Sequence, residues 1–299
     1  MQLSCNGVRL EVEVHGPHDG EPLLMIMGLG MQLIAWPEGL VDELVARGFR
    51  VIRFDNRDVG LSQPFDELGL PSIPLAALLH TLHLPVKAPY QIADLARDAV
   101  GVLDALGITQ AHVCGASMGG MVAQHLGFAH AGRVKSLTLM MTTSGDRGLP
   151  SESFKVRRAL LSRPRRAATP EQKLENILDH YVGLYGVIGS PGYPPEPRQL
   201  RERIARGVQR SFRPQAVARQ LVAIAADTRR ADRLPRITSP TLVIHGQHDA
   251  LIPVAAAHDL ARRIPGAQLE ILPGWGHDLP EPLWPRLAGA IGALAQASA

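Results

Sequence analysis

A chain of 299 residues, 45% hydrophobic and with a formal net charge of +3, is long enough to bury a large core and too weakly charged to argue for nucleic-acid binding. No run approaches the roughly 18 uninterrupted apolar residues of a membrane span, and Met1–Val14 lacks the basic-then-apolar order of a secretory signal. The two cysteines, Cys5 and Cys114, give neither a disulfide framework nor a metal cluster, and the expected setting is reducing and cytoplasmic.

Leu3 to Val14 alternates around Asn6-Gly7, a hairpin signal. Leu23–Met27 is a short apolar run that reads as a buried strand, ending in the turn Met27-Gly28-Leu29-Gly30. A helix is predicted from Trp36 to Arg47, with Pro37 in its first turn. Arg50–Phe54 is the next strand and runs into Asp55-Asn56-Arg57-Asp58-Val59-Gly60-Leu61-Ser62. Residues 63–89, rich in proline and leucine, are expected to be irregular with one short helix. Gln91–Leu106 is amphipathic and stops at Gly107. Ala111–Cys114 is a strand, Gly115-Ala116-Ser117-Met118-Gly119 a turn, and Met118–Ala129 a helix. Val134–Met141 is a further strand.

From Asp146 to Asp232 no convincing strand is found. Helical stretches near 152–162, 171–185, 198–210 and 214–226 are separated by prolines. This segment holds 17 Lys and Arg against 9 Asp and Glu, so the rest of the chain is net acidic. It reads as a helical lid over 146–231, inserted into a core made of residues 1–145 and 232–299. Its positive charge is read first as a solvated helix face, and second as an attractor of anionic substrates or a partner. Alternation then resumes with strand Thr241–His245, helix Pro253–Ile264, strand Gln268–Leu272 and helix Glu281–Ala295.

Strands alternating with helices imply a mostly parallel sheet of the α/β class, covered on both faces. Right-handed crossovers bring the C-terminal ends of the strands to one edge. The loops after Met27, at Ser117, after His245 and after Leu272 then meet there. The second of these spells G-x-S-x-G, which in a strand–turn–helix context exposes a serine hydroxyl. A serine needs a base to take its proton, and the base needs an acid to orient it. In chain order the candidates are Ser117, Asp249 and His277, each just past a predicted strand. Taken singly, each has a bland reading: a structural turn, a helix-cap aspartate ahead of Pro253, a loop histidine beside Gly276.

The order Ser…Asp…His, the G-x-S-x-G turn and the Asp55–Ser62 stretch, similar to D-x-R-G-x-G-x-S, together resemble the α/β-hydrolase-fold enzymes over nearly the whole chain. The resemblance implies an eight-stranded sheet, Ser117 as nucleophile, His277 as general base, Asp249 as the orienting acid, and an oxyanion hole from the backbone N–H groups of Leu29 and Met118. Within that family, residues 25–31, 53–62 and 139–149 are similar to lidded bacterial esterases resembling aclacinomycin methylesterase. Two departures stand out. Met27-Gly28 replaces the His-Gly found at many oxyanion loops, and Asp58 occupies a glycine position of the D-x-R-G-x-G-x-S loop.

Gly28, Trp36, Met141, Tyr181 and Tyr185 are the candidates to line a substrate pocket. For the four side chains ordinary core packing is the favoured alternative. His245, at the end of its strand, is expected to support or pack, and His112 and His125 to take structural roles. The leading function is a serine carboxylic-ester hydrolase acting on a small or medium ester, without metal or organic cofactor. A lactonase, carbon–carbon bond hydrolase, peptidase or perhydrolase shares the triad. A non-catalytic small-molecule receptor is the reading from a different class. Epoxide hydrolases and haloalkane dehalogenases are disfavoured, because an aspartate would stand where Ser117 is.

Overall fold

A computed structural model of the protein describes residues 1–298. In chain order the strands are β1 (Gln2–Cys5), β2 (Val8–His15), β3 (Glu21–Ile26), β4 (Phe49–Phe54), β5 (Ala111–Ala116), β6 (Val134–Met140), β7 (Thr241–Gly246) and β8 (Gln268–Leu272). They form one sheet in the order β1-β2-β4-β3-β5-β6-β7-β8. β1, β2 and β4 pair antiparallel, and all later pairs are parallel. Asn6 and Gly7 both take positive φ, 50° and 75°, as a two-residue hairpin turn between β1 and β2 requires.

The helices are α1 (Glu38–Val45), α2 (Ile73–Thr81), α3 (Ile92–Ala105), α4 (Met118–Ala129), α5 (Phe154–Leu161), α6 (Pro170–Ile188), α7 (Pro197–Arg210), α8 (Pro214–Ala226), α9 (Ala255–Arg263) and α10 (Trp284–Gln296). The period of two along the strands sorts side chains between two cores. Leu24, Ile26, Ile52 and Val243 pack with Leu95, Val102, Val122 and Leu126 of α3 and α4. Leu23, Met25, Val51 and Ile244 face the other way, onto Leu40 and Leu44 of α1 and Leu287 and Ile291 of α10. Strands covered on both faces read as continuous apolar runs, which is why β3 and β7 were visible in the sequence.

The helix expected from Trp36 begins at Glu38 instead. Pro37 caps it in an extended conformation, φ −60° and ψ 137°, and a residue before proline is pushed out of the helical region. Trp36 therefore precedes the helix. The closing helix is likewise preceded by a short 3-10 turn, Glu281–Leu283. Every regular element between 146 and 226 is helical: α5 to α8 all lie between β6 and β7. Each begins at a serine, threonine or glutamate cap or a proline, which explains why prolines marked their boundaries. α8 packs on α2 and α3, and so ties this insertion to the rest of the chain.

Candidate active site

Ser117 stands between β5 and α4 at φ 54° and ψ −121°, a strained conformation for a non-glycine residue. Its surroundings hold it there. Its N–H donates to Met140 O at 3.0 Å, and its carbonyl accepts the Thr142 hydroxyl at 2.7 Å. Strand and helix pass so close that a Cβ on Gly115 would lie 2.3 Å from Gly119 O, and one on Gly119 would lie 2.0 Å from Ile26 O. Those two positions admit only glycine, and with them the turn that raises the hydroxyl above the sheet edge is fixed.

His277 lies past β8, and Asp249 past β7. The Ser117 hydroxyl donates to His277 Nε2 at 3.0 Å. His277 Nδ1–H donates to Asp249 Oδ2 at 2.7 Å. Asp249 Oδ1 accepts the N–H groups of Leu251 and Ile252 at 2.9 and 2.8 Å. Those two bonds aim its second oxygen at the imidazole. His245, fully buried, places Nε2 3.4 Å from Asp249 Oδ2 and donates to Ile252 O at 2.9 Å. Burial pushes its pKa down, against the pull of Asp249. A neutral His245 packs beside the acid without adding a competing positive charge.

The loop after β3 runs alongside. A Cβ on Gly28 would fall 3.0 Å from Ser117 Cβ and 3.5 Å from Ser117 Oγ. The N–H groups of Leu29 and Met118 have no acceptor among the described residues. The loop is braced from below. Asn56 Nδ2–H donates to Met27 O at 3.0 Å. Asp55 accepts Leu33 N–H at 2.6 Å, Leu61 N–H at 2.9 Å and Arg210 Nη1–H at 2.7 Å. Burial raises the Asp55 pKa, and these donors oppose the rise. The brace also comes from above. Gln220 of α8 accepts Gly30 N–H at 2.8 Å, and Gln32 Nε2–H donates to Gly207 O and Ser211 O at 2.6 and 2.9 Å. None of these contacts between the insertion and the loop was legible in the sequence.

The other expected residues are placed as follows. Trp36 and Met141 are buried in the α1/α10 core with Leu40 and Ile244, and Met141 takes a positive φ of 39°. Tyr181 and Tyr185 sit on α6, half-buried. The first stacks edge-on to Phe212 with ring centroids 6.5 Å apart, and the Arg203 guanidinium lies 5.5 Å from the ring centre of the second. His125 pairs with Asp227 at 3.0 Å, and His112 bonds Ser136 at 2.7 Å. A cleft of about 360 Å³ opens elsewhere, lined by Glu21, Phe49, His112, Lys135 and the end of α10, and it contains none of the three candidates. Among the described residues no group of three His, Cys, Asp or Glu side chains is arranged to hold a metal ion, and no helix is long and apolar enough to cross a membrane.

Comparison with known proteins agrees with this architecture. Rhodomycin D methylesterase of Streptomyces peucetius is 32% identical over 99% of this chain and 98% of its own length. A putative carbamate hydrolase of Variovorax paradoxus is 31% identical over 90% of this chain and 89% of its own. Among solved structures, a meta-cleavage product hydrolase from Pseudomonas fluorescens superposes with a TM-score of 0.75 at 19% identity, covering 100% of this chain and 98% of that one. An esterase from Exiguobacterium antarcticum gives 0.74 at 20% identity, with 99% of each chain covered. The family model for the alpha/beta hydrolase fold matches residues 21–281, and the chain belongs to that family.

Proposed function

We propose that the protein is a serine carboxylic-ester hydrolase. The observation that carries this reading is the unbroken hydrogen-bond chain from Ser117 Oγ through His277 to Asp249. Full-length similarity to a methylesterase supports the ester as the bond attacked.

In this reading Ser117 Oγ attacks the ester carbonyl while its proton passes to His277 Nε2. Asp249 holds the ring in the tautomer that accepts there, and stabilises the imidazolium that results. The carbonyl oxygen, now negative, meets the free N–H groups of Leu29 and Met118. Collapse of the tetrahedral species expels the alcohol, which takes the proton from His277. Water, activated by the same imidazole, then hydrolyses the acyl-serine and regenerates the hydroxyl. The segment 146–231 acts as a lid over this edge and, with Gly28, Tyr181 and Tyr185, shapes the substrate pocket, while Trp36 and Met141 pack in the core. The two cysteines are unpaired, which fits a reducing, cytoplasmic setting.

Similarity to a putative carbamate hydrolase favours one second reading, a carbamate as substrate for the same serine chemistry. Hydrolysis of a p-nitrophenyl ester series, acetate to decanoate, beside a matched carbamate tests both. The esterase reading expects turnover of esters with a chain-length optimum, abolished in Ser117→Ala. Turnover that survives in Ser117→Ala contradicts it, and preference for the carbamate supports the second reading.

A further inference from the structure

The loop that carries His277 is bonded along its length to the stretch leaving α6. Gly192 N–H donates to Gly274 O at 2.9 Å, and His277 N–H donates to Ile188 O at 2.8 Å. Gly276 N–H donates to the Ser190 hydroxyl at 2.9 Å, and that hydroxyl donates in turn to Asp278 Oδ1. The two backbones touch. A Cβ on Gly276 would lie 2.4 Å from Gly189 O, and one on Gly192 would lie 2.7 Å from Gly274 Cα. On its far side the loop is held by the core, where His248 N–H donates to Trp275 O at 2.9 Å and Trp275 Nε1–H donates to Asp278 O at 2.7 Å.

Ser190 and Asp278 are 3% and 7% exposed. Burying a carboxylate is costly unless hydrogen bonds or a counter-charge compensate it, and Asp278 has the Ser190 hydroxyl as such a partner. Burial raises the Asp278 pKa, and the Ser190 bonds, Arg203 and His277 oppose that rise. The catalytic scheme above uses neither Ser190 nor Asp278. Their shared product is the orientation of the Trp275–Gly276 peptide, directly before His277, whose imidazole must meet Ser117 Oγ at 3.0 Å.

We propose that Ser190 and Asp278 are positioning residues for the general base, and that through them the insertion between β6 and β7 sets the angle at which His277 meets Ser117. This rests on His277 being the base. A reacting group misplaced by about 1 Å can cost about 10² in rate. Ester binding does not pass through this chain of bonds, so the cost falls on kcat and not on KM. An acceptor at position 278 is what the Ser190 hydroxyl needs, whether carboxylate or amide.

The test compares Ser190→Ala, Asp278→Ala and Asp278→Asn for kcat and KM on a p-nitrophenyl ester, for the rate at which a fluorophosphonate labels Ser117, and for Tm. Ser190→Ala and Asp278→Ala are expected to lose about 10- to 100-fold in kcat, with KM nearly unchanged and labelling slowed in parallel. Asp278→Asn keeps the acceptor and is expected to stay close to wild type. A folded Ser190→Ala with wild-type kcat and labelling overturns the positioning role. If that variant does not fold, the two Asp278 variants decide: equal loss in both overturns it, and loss in Asp278→Ala alone supports it. Labelling of the wild type separates this inference from the reading beneath it. Wild type labelled as fast as Ser190→Ala overturns the positioning role alone. Wild type not labelled at Ser117 overturns the serine-hydrolase reading, and this inference with it.

Discussion

Arg219 of α8 grips Asp58 with two bonds, Nε to Oδ2 at 2.5 Å and Nη2 to Oδ1 at 2.9 Å, across 161 residues of sequence. The Tyr90 hydroxyl donates to the same carboxylate at 3.1 Å. Asp58 sits at φ 73°, a left-handed conformation that aspartate tolerates better than most residues. The aspartate at a glycine position thus keeps the turn and adds an anchor for the helical insertion.

Arg219→Ala leaves that carboxylate buried without its partner, and is expected to lose about 3–5 kcal/mol of stability. Asp58→Gly combined with Arg219→Met removes both charges and is expected to recover most of the loss. Denaturant unfolding of the two variants checks this. Equal losses in both contradict the assignment of the cost to an unpaired charge.

Gly28→Ala brings a methyl to 3.0 Å from Ser117 Cβ and 3.4 Å from Ala116 O. The loop must shift away from the serine, carrying Leu29 N–H with it. Loss of about 10² in kcat is expected with Tm little changed, in line with the loss of one oxyanion donor. An alanine variant at full rate contradicts the proposed role of this loop.

Burial pushes the His112 pKa down, with Glu21 opposing and Lys135 reinforcing the shift. In the folded state His112 takes its proton at lower pH than in the unfolded chain. The unfolded state therefore binds more protons as pH falls through the ordinary histidine value near 6.5, and stability drops on the acid side of it. The raised pKa values of Asp55 and Asp278 have the opposite sign, but they are common to wild type and a His112→Gln variant. Melting both from pH 7.5 to 5.5 is expected to show the smaller acid loss in the variant. Parallel curves contradict a neutral, buried His112.

The parts of this fold that repeat or punctuate were legible. β3 and β7 are apolar runs because helices cover both faces. Asn6-Gly7 is a turn because both residues accept positive φ. The serine turn carries its glycines because no larger residue clears Ile26 O or Gly119 O. Ser117, Asp249 and His277 could be grouped as candidates because each follows a strand, and parallel strands end at one edge. Illegible were the side-chain pairs that dock the insertion on the core: Arg219 with Asp58, Gln220 with Gly30, Ser190 with Asp278. Such pairs join residues tens to hundreds of positions apart and leave no period in the sequence. The start of α1 was misread for a local reason, since Pro37 serves as a cap and not as a residue of the first turn.

Whether Ser117 is a live nucleophile is decided by mass-spectrometric mapping of the adduct formed by a fluorophosphonate on the wild-type protein. A single phosphonylated residue, Ser117, is expected, with no adduct in Ser117→Ala and a strongly slowed one in His277→Ala. No adduct on the folded wild type, or an adduct on another residue, contradicts that role.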